Sequence, residues 1–246
     1  MFLHSPTSMS KTLKNHIQGF AYLLSNPLQL KRLITRETRY GRRNLDKRNW
    51  VEWQLYDTCV ANAPHTTAVA HAQPLNTERI ETISDMVSRI GSRLEILDVG
   101  CGYGTIGEPL RNMGNHVTSM ELPGAANLAY ARGIPLIVAG DAEHLTFTSN
   151  TFDIVLASEI VEHLWNPRNF FDDAYRILKA DGYLIISTPE GKAGLSYDSH
   201  KHYFTVESLQ QMLASSFTIC EVKRLKPAGA PMPTIILLLR KLKMQQ

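Results

Sequence analysis

Seven short apolar runs dominate the chain from residue 94 onward, each only as long as a β-strand. They are Leu94 to Val99, His116 to Met120, Leu136 to Ala139, Ile154 to Ala157, Tyr183 to Ser187, Thr218 to Val222 and Thr234 to Leu239. Segments of helical texture separate the first six, and strands alternating with helices predict a mostly parallel sheet covered on both faces. The last two runs are joined by Lys226 to Pro233, which is rich in Pro and Gly and has no helical pattern. That connection predicts an antiparallel pair closing the sheet edge. The expected fold class is therefore α/β, with a mostly parallel seven-stranded sheet and an antiparallel C-terminal strand.

Upstream the texture is helical. Trp50, Trp53, Tyr56 and Val60 recur at spacings of three and four, and a second helix is expected from Thr77 as N-cap through Ile80, Ile83, Val87 and Ile90 to a stop at Gly91. The chain then divides into a helical, basic N-terminal cap or lid, residues 1–76, and an α/β domain, residues 77–246. Residues 1–50 hold ten Lys or Arg against two acids, a net +8 inside an overall +3. Such a run suits an anionic substrate, a nucleic acid, a membrane surface or simply a solvated helix face.

Other classes are excluded early. No run approaches the roughly 18 apolar residues of a membrane-spanning helix, and Met1 to Ser10 lacks the basic start and apolar stretch of a secretory signal. Three scattered cysteines, Cys59, Cys101 and Cys220, make neither a disulfide framework nor a zinc knuckle. A cytoplasmic, reducing location is the expectation.

The first strand runs straight into Gly100-Cys101-Gly102-Tyr103-Gly104, with a helix expected from near Thr105. Glycines there let the backbone turn tightly and approach a ligand, and a helix N-terminus presents free N–H groups. A dinucleotide fingerprint wants Gly or Ala where Thr105 stands. Glu121 ends the second strand and Asp141 follows the third, so all three features fall at the carboxyl ends of neighbouring strands, where open parallel sheets bind ligands.

Leu97-Asp98-Val99-Gly100-Cys101-Gly102-Tyr103-Gly104, then Glu121, Gly140-Asp141-Ala142-Glu143-His144-Leu145 and Phe152-Asp153-Ile154-Val155, resemble the class I S-adenosylmethionine-dependent methyltransferases over roughly residues 94–240. The resemblance implies a Rossmann-like fold. It implies that Gly100, Cys101, Gly102 and Gly104 hold the methionine end of S-adenosylmethionine, that Glu121 with Leu122 holds the ribose, and that Asp141 and Ala142 border the adenine. Asp98 and Ser158 would lie beside the cofactor. Cys101 is a small turn residue here, with no role as a nucleophile.

After the fourth strand comes Ser158-Glu159-Ile160-Val161-Glu162-His163-Leu164. If a helix begins there, Glu159 and Glu162 share a face and His163 lies four residues after Glu159. The Glu-x-x-Glu-His segment resembles that of magnesium-dependent ubiquinone-pathway O-methyltransferases and of enzymes that methylate the ribose 2′-hydroxyl of small RNAs. Ser199-His200-Lys201-His202-Tyr203-Phe204-Thr205 resembles a His-containing loop that borders the acceptor pocket in many small-molecule methyltransferases. Glu159, Glu162, His163 and His200 are the candidate ligands of a divalent cation, Mg²⁺ or, given the histidines, Mn²⁺. His163 and His200 are equally candidates for metal-free acid–base work, and all four residues for a purely structural role. His202 reads as structural, and Tyr197 and Tyr203 as neighbours of the acceptor pocket.

The expected activity is methyl transfer to a small-molecule acceptor, most simply at a hydroxyl oxygen. RNA ribose 2′-O-methylation is the competing enzymatic reading, and a methyltransferase-fold protein that binds without chemistry is the third.

Overall fold

The computed structural model describes residues 74–131, 133–191, 200–226 and 233–243. The expected cap, residues 1–76, with its basic run and its Trp50, Trp53 and Tyr56 stripe, lies almost wholly outside the described residues, as does Tyr197.

All seven expected strands form. In chain order the elements are helix α1 (Pro74–Ile90), β1 (Glu95–Val99), α2 (Gly107–Asn112), β2 (His116–Glu121), α3 (Pro123–Ala131), β3 (Ile137–Ala139), β4 (Phe152–Ser158), a 3₁₀ turn (Val161–His163), α4 (Pro167–Ile177), β5 (Leu178–Pro189), α5 (Val206–Leu213), β6 (Phe217–Leu225) and β7 (Thr234–Lys241). They build one sheet in the order β3-β2-β1-β4-β5-β7-β6. β1 to β5 pair in parallel, and β7 is antiparallel to both β5 and β6. β7 therefore enters between β5 and β6, and β6 forms the edge.

Successive side chains of a strand point to opposite faces, so a strand buried on both sides is apolar throughout. β4 shows this directly. Val155 and Ala157 join one core with Phe170, Phe171, Ala174 and Ile177 of α4 and Leu209 and Leu213 of α5. Ile154 and Leu156 join the other core with Ile83, Met86 and Val87 of α1 and Leu110 of α2. The apolar stripe of α4 packs as its spacing requires, but Leu178 has already left the helix and opens β5.

Two helix starts are instructive. α1 begins at Pro74, about one turn before the expected cap, so Thr77 lies inside the helix; a proline is well tolerated in the first turn because its missing N–H would have had no helical partner. α5 begins directly after Thr205, which accepts from the Ser208 amide while Ser208 accepts from the Thr205 amide in a reciprocal cap.

Leu156 sits in the central strand with no exposed surface. Leu156→Ala is expected to cost about 2–5 kcal/mol, the transfer free energy of the lost atoms plus the cavity they leave. Urea denaturation followed by circular dichroism checks this, and a loss under 1 kcal/mol would contradict the burial.

Candidate functional site

The parallel register brings the carboxyl ends of the strands into a row. Glu121 pairs with Ala139, Val99 with both Met120 and Ala157, and Ser158 with Ser187. Along one edge of the sheet the residues that follow are thus Asp141, Glu121, the Gly100–Gly104 turn, Glu159 and Thr188. β1 lies between β2 and β4, so the chain order reverses at the glycine turn, the place where a crevice opens in such sheets.

The turn needs its glycines for two different reasons. Gly100 has φ +70°, and a Cβ there would lie 2.0 Å from Cδ1 of Ile160. The side chain of Ile160 thus rests on the glycine, and any larger residue would push it away. At Gly102, φ +52°, a Cβ would meet nothing within 4 Å, so this glycine serves the left-handed turn and leaves open space beside it. The Glu121 carboxylate holds the turn in place by accepting from Gly102 N at 2.9 Å and from Leu122 N at 2.8 Å. Cys101 is buried, and that burial raises its thiol pKa, consistent with a packing residue in a tight turn.

Asp98, the penultimate residue of β1, is 2% exposed, and its Oδ2 accepts no hydrogen bond from the described residues. Burial, reinforced by the Glu121 charge and opposed by the Arg111 guanidinium, pushes its carboxyl up to about 7. Just beyond β3, Asp141 accepts from Glu143 N at 2.9 Å through Oδ1, closing a local turn. Ser158 and Ser187 share a hydroxyl hydrogen bond of 2.8 Å across β4 and β5.

The segment after β4 does not begin an α-helix, so the shared face conditional on one does not form. Glu159 is left-handed, φ +58°, and Val161–His163 is a single 3₁₀ turn. Glu159 and Glu162 therefore face different partners. Glu159 accepts from the Ser187 hydroxyl at 3.0 Å and pairs with Arg79 of α1 at 3.3 Å. Glu162, 1% exposed, accepts from the Thr188 hydroxyl at 3.0 Å through Oε2, while its buried Oε1 has no hydrogen-bond donor among the described residues and lies 3.9 Å from Nε2 of His163. Burial first, and the Glu159 charge second, raise the Glu162 carboxyl above its ordinary range.

His200 completes the group. Its ring lies edge-on to that of His163, centroids 4.7 Å apart, and ligand atoms of Glu162, His163 and His200 all fall within 4.8 Å of one another. Of the four residues expected to share a cation, three come together and Glu159 is taken by Arg79 and Ser187. His202 hydrogen-bonds the Trp165 carbonyl at 3.3 Å and stacks on Phe204, the structural role expected of it. Tyr203 is 44% exposed.

Arg79, Ser187 and Thr188 are the contributors that pattern reasoning missed. Arg79 sits among the polar positions of an amphipathic helix, and nothing local marks it. Ser187-Thr188 did leave a signal, since two hydroxyls ending a central apolar strand have no packing reason to be there.

Comparison with known proteins agrees with this arrangement. Residues 97–186 match the model of a methyltransferase domain family. The chain is 29% identical over 180 residues to a ubiquinone biosynthesis O-methyltransferase of Rickettsia conorii, covering 66% of this chain and 59% of that protein. It is 36% identical over 120 residues to the Maricaulis maris protein of the same name, covering 44% of this chain and 47% of the relative. The matches thus span about half the length of these relatives. Among solved structures, the N-methyltransferase NodS of Bradyrhizobium japonicum, in complex with S-adenosyl-L-homocysteine, superposes with a TM-score of 0.64 at 19% identity, over 78% of this chain and 98% of that one. Residues 97–186 thus resemble the class I S-adenosylmethionine-dependent methyltransferases in sequence, and the mostly parallel seven-stranded sheet has their Rossmann-like fold.

The Asp98 environment predicts a pH signature. Its raised carboxyl binds a proton more tightly folded than unfolded, so its stabilising contribution is full below about pH 4, the ordinary carboxylate range, and is lost as pH rises through about 7. Asp98→Asn removes that loss. The melting temperature of the variant relative to wild type is expected to be several degrees more favourable at pH 8 than at pH 5 in the ligand-free protein. A difference that does not change with pH would show that Asp98 is already ionised throughout.

Proposed function

We propose that this chain transfers a methyl group from S-adenosylmethionine to a hydroxyl oxygen of a small-molecule acceptor. The observation that carries the reading is a buried carboxylate and two imidazoles, Glu162, His163 and His200, set at the carboxyl end of β4 immediately beyond Ile160, which rests on the glycine turn. The names of the relatives from R. conorii and M. maris support oxygen as the acceptor atom and a small molecule rather than RNA.

When bound, S-adenosylmethionine supplies an electrophilic methyl group with its leaving group attached. The chain's residues then have to bind, orient and move one proton. Gly100, Cys101, Gly102 and Gly104 would take the methionine end, Glu121 and Leu122 the ribose, and Asp141 and Ala142 the adenine, with Asp98 and Ser158 alongside. The fit is chemical: among the described residues Asp98 Oδ2 has no donor and nothing lies within 4 Å of where a Gly102 Cβ would stand, while the Glu121 carboxylate holds the turn beside them.

On the acceptor side, His163 is the group to receive the hydroxyl proton, with Glu162 beside it to stabilise the imidazolium that results. A divalent cation also fits Glu162, His163 and His200, because Oε1 of Glu162 lacks a donor and one carboxylate with two imidazoles suits Mn²⁺ or Fe²⁺ better than Mg²⁺. Such a cation would supply Lewis acidity that lowers the proton affinity of the acceptor oxygen. Among the described residues no helix is long and apolar enough to cross a membrane, and Cys101 and Cys220 are free thiols.

Two measurements test the reading. Glu121→Ala is expected to weaken S-adenosylhomocysteine binding by about 1–3 kcal/mol in isothermal titration, the usual cost of unpairing a charged hydrogen bond; unchanged affinity in a folded variant would refute the ribose assignment. Incubating the protein with methyl-tritiated S-adenosylmethionine and separate low-mass and RNA fractions of a cell extract should label the low-mass fraction. Label in RNA alone would overturn the small-molecule reading. Labelling that survives EDTA and loses its acid limb of pH dependence in His163→Asn assigns the base to His163, whereas labelling abolished by EDTA and restored by Mn²⁺ assigns the site to a cation.

A further inference from the structure

Glu143 joins two parts of the site that the sheet holds on different strands. Its carboxylate accepts from Trp165 N at 2.7 Å through one oxygen and from Asn166 N at 3.0 Å through the other. These are the amides at the entrance to α4, whose N-cap residue, Asn166, makes no side-chain cap of its own. A carboxylate from a distant loop thus does the capping, with the added attraction of a negative charge for a helix N-terminus. On its other side Glu143 is fixed by its own amide to Asp141 Oδ1, and the next residues are fixed by His144 N to the Asp141 carbonyl.

From Trp165 the connection continues to the imidazoles. The Glu162 carbonyl accepts from Lys201 N at 2.8 Å and from His202 N at 3.2 Å, so the loop carrying His200 is tied to the 3₁₀ turn that carries His163. The Trp165 carbonyl meets His202 Nε2 at 3.3 Å, and the Lys201 ammonium lies 4.5 Å from the centroid of the Trp165 ring. Every link is short and polar, and none passes through the sheet.

We propose that Glu143 is a positioning residue that couples the Asp141–Ala142 strand end to the Glu162–His163–His200 cluster, so that cofactor occupancy at the first changes the setting of the second. The inference rests on the reading of Asp141 and Ala142 as the adenine border. Coupling of this kind is a free energy shared between two sites, carried by an element both can bias. It gives the enzyme a reason to assemble its acceptor side only when the methyl donor is present, and it assigns Glu143 a role distinct from touching either ligand.

The test uses the full-length protein and S-adenosylhomocysteine as probe. Imidazole ¹⁵N resonances of His163 and His200, assigned with His163→Gln and His200→Gln, are recorded with and without the probe in wild type, Glu143→Ala and Glu143→Gln. The expectation is a displacement of both resonances in wild type and a displacement at least two-fold smaller in Glu143→Ala, while titration calorimetry shows probe affinity kept within about ten-fold, a loss under the 1.4 kcal/mol that each decade represents. Glu143→Gln, which keeps one accepting oxygen, should fall between the two. If Glu143→Ala does not fold by circular dichroism, Glu143→Gln carries the test, and a displacement equal to wild type overturns the proposal. No displacement in a wild type that binds the probe also overturns it. A wild type that does not bind the probe at all refutes the methyltransferase reading itself, so the two failures are distinguishable.

Discussion

The contact between Gly100 and Ile160 is the constraint on which the site depends. A parallel sheet delivers β1 and β4 side by side, with Val99 opposite Ala157, but strands alone leave their loops undetermined. Because Gly100 has no side chain, Ile160 fills the place where one would stand, and the chain after β4 is drawn over the glycine turn. The 3₁₀ turn that follows then carries Glu162 and His163 to the same edge of the sheet as the glycine turn instead of away from it. Groups that are to react must be held within near-contact distance and in line. Packing one isoleucine onto one glycine is how this fold keeps the two sets of residues together.

Around that contact the protein accepts unfavourable electrostatics. Asp98 and Glu162 are both almost fully buried, each with an oxygen that no donor among the described residues reaches, and in each burial is the leading cause of the raised pKa. A carboxylate buried without a donor costs stability, and such costs persist in functional sites where the partner comes from outside the fold. The two residues mark the two halves of the site, one beside the glycine turn and one beside the imidazoles. Between them, Glu159 is the neutralised carboxylate: its left-handed backbone swings it to Arg79 and Ser187, where its charge is balanced and still bears on Glu162.

Much of this was legible beforehand. The seven strands appear where the apolar runs lie, since a strand buried on both faces has to be apolar throughout, and β4 and β7 show it most plainly. The glycine turn, Glu121 and Asp141 were legible because chain order in a parallel sheet places successive strand ends on one edge. His163 and His200 were legible as site candidates through resemblance, and they do meet, 4.7 Å apart between ring centres. The conditional reading of Glu159 to His163 as the start of a helix is not met. Spacing of three and four suggested one face, but the left-handed residue at Glu159 broke the period before it began.

The sequence by itself determined the sheet, the glycine turn and the carboxylates along its edge, because periodicity and chain order are local or nearly local properties. Only the tertiary structure decided which of the four candidate residues come together. Glu159 is set apart by Arg79, eighty residues earlier on α1, and Glu143 reaches the N-terminus of α4 from the loop after β3. These are pairings between segments far apart in the chain, made by side chains whose identity carries no period. Polar contacts of that kind are specified by where the packed strands and helices leave two groups within reach, and that is a property of the assembled fold.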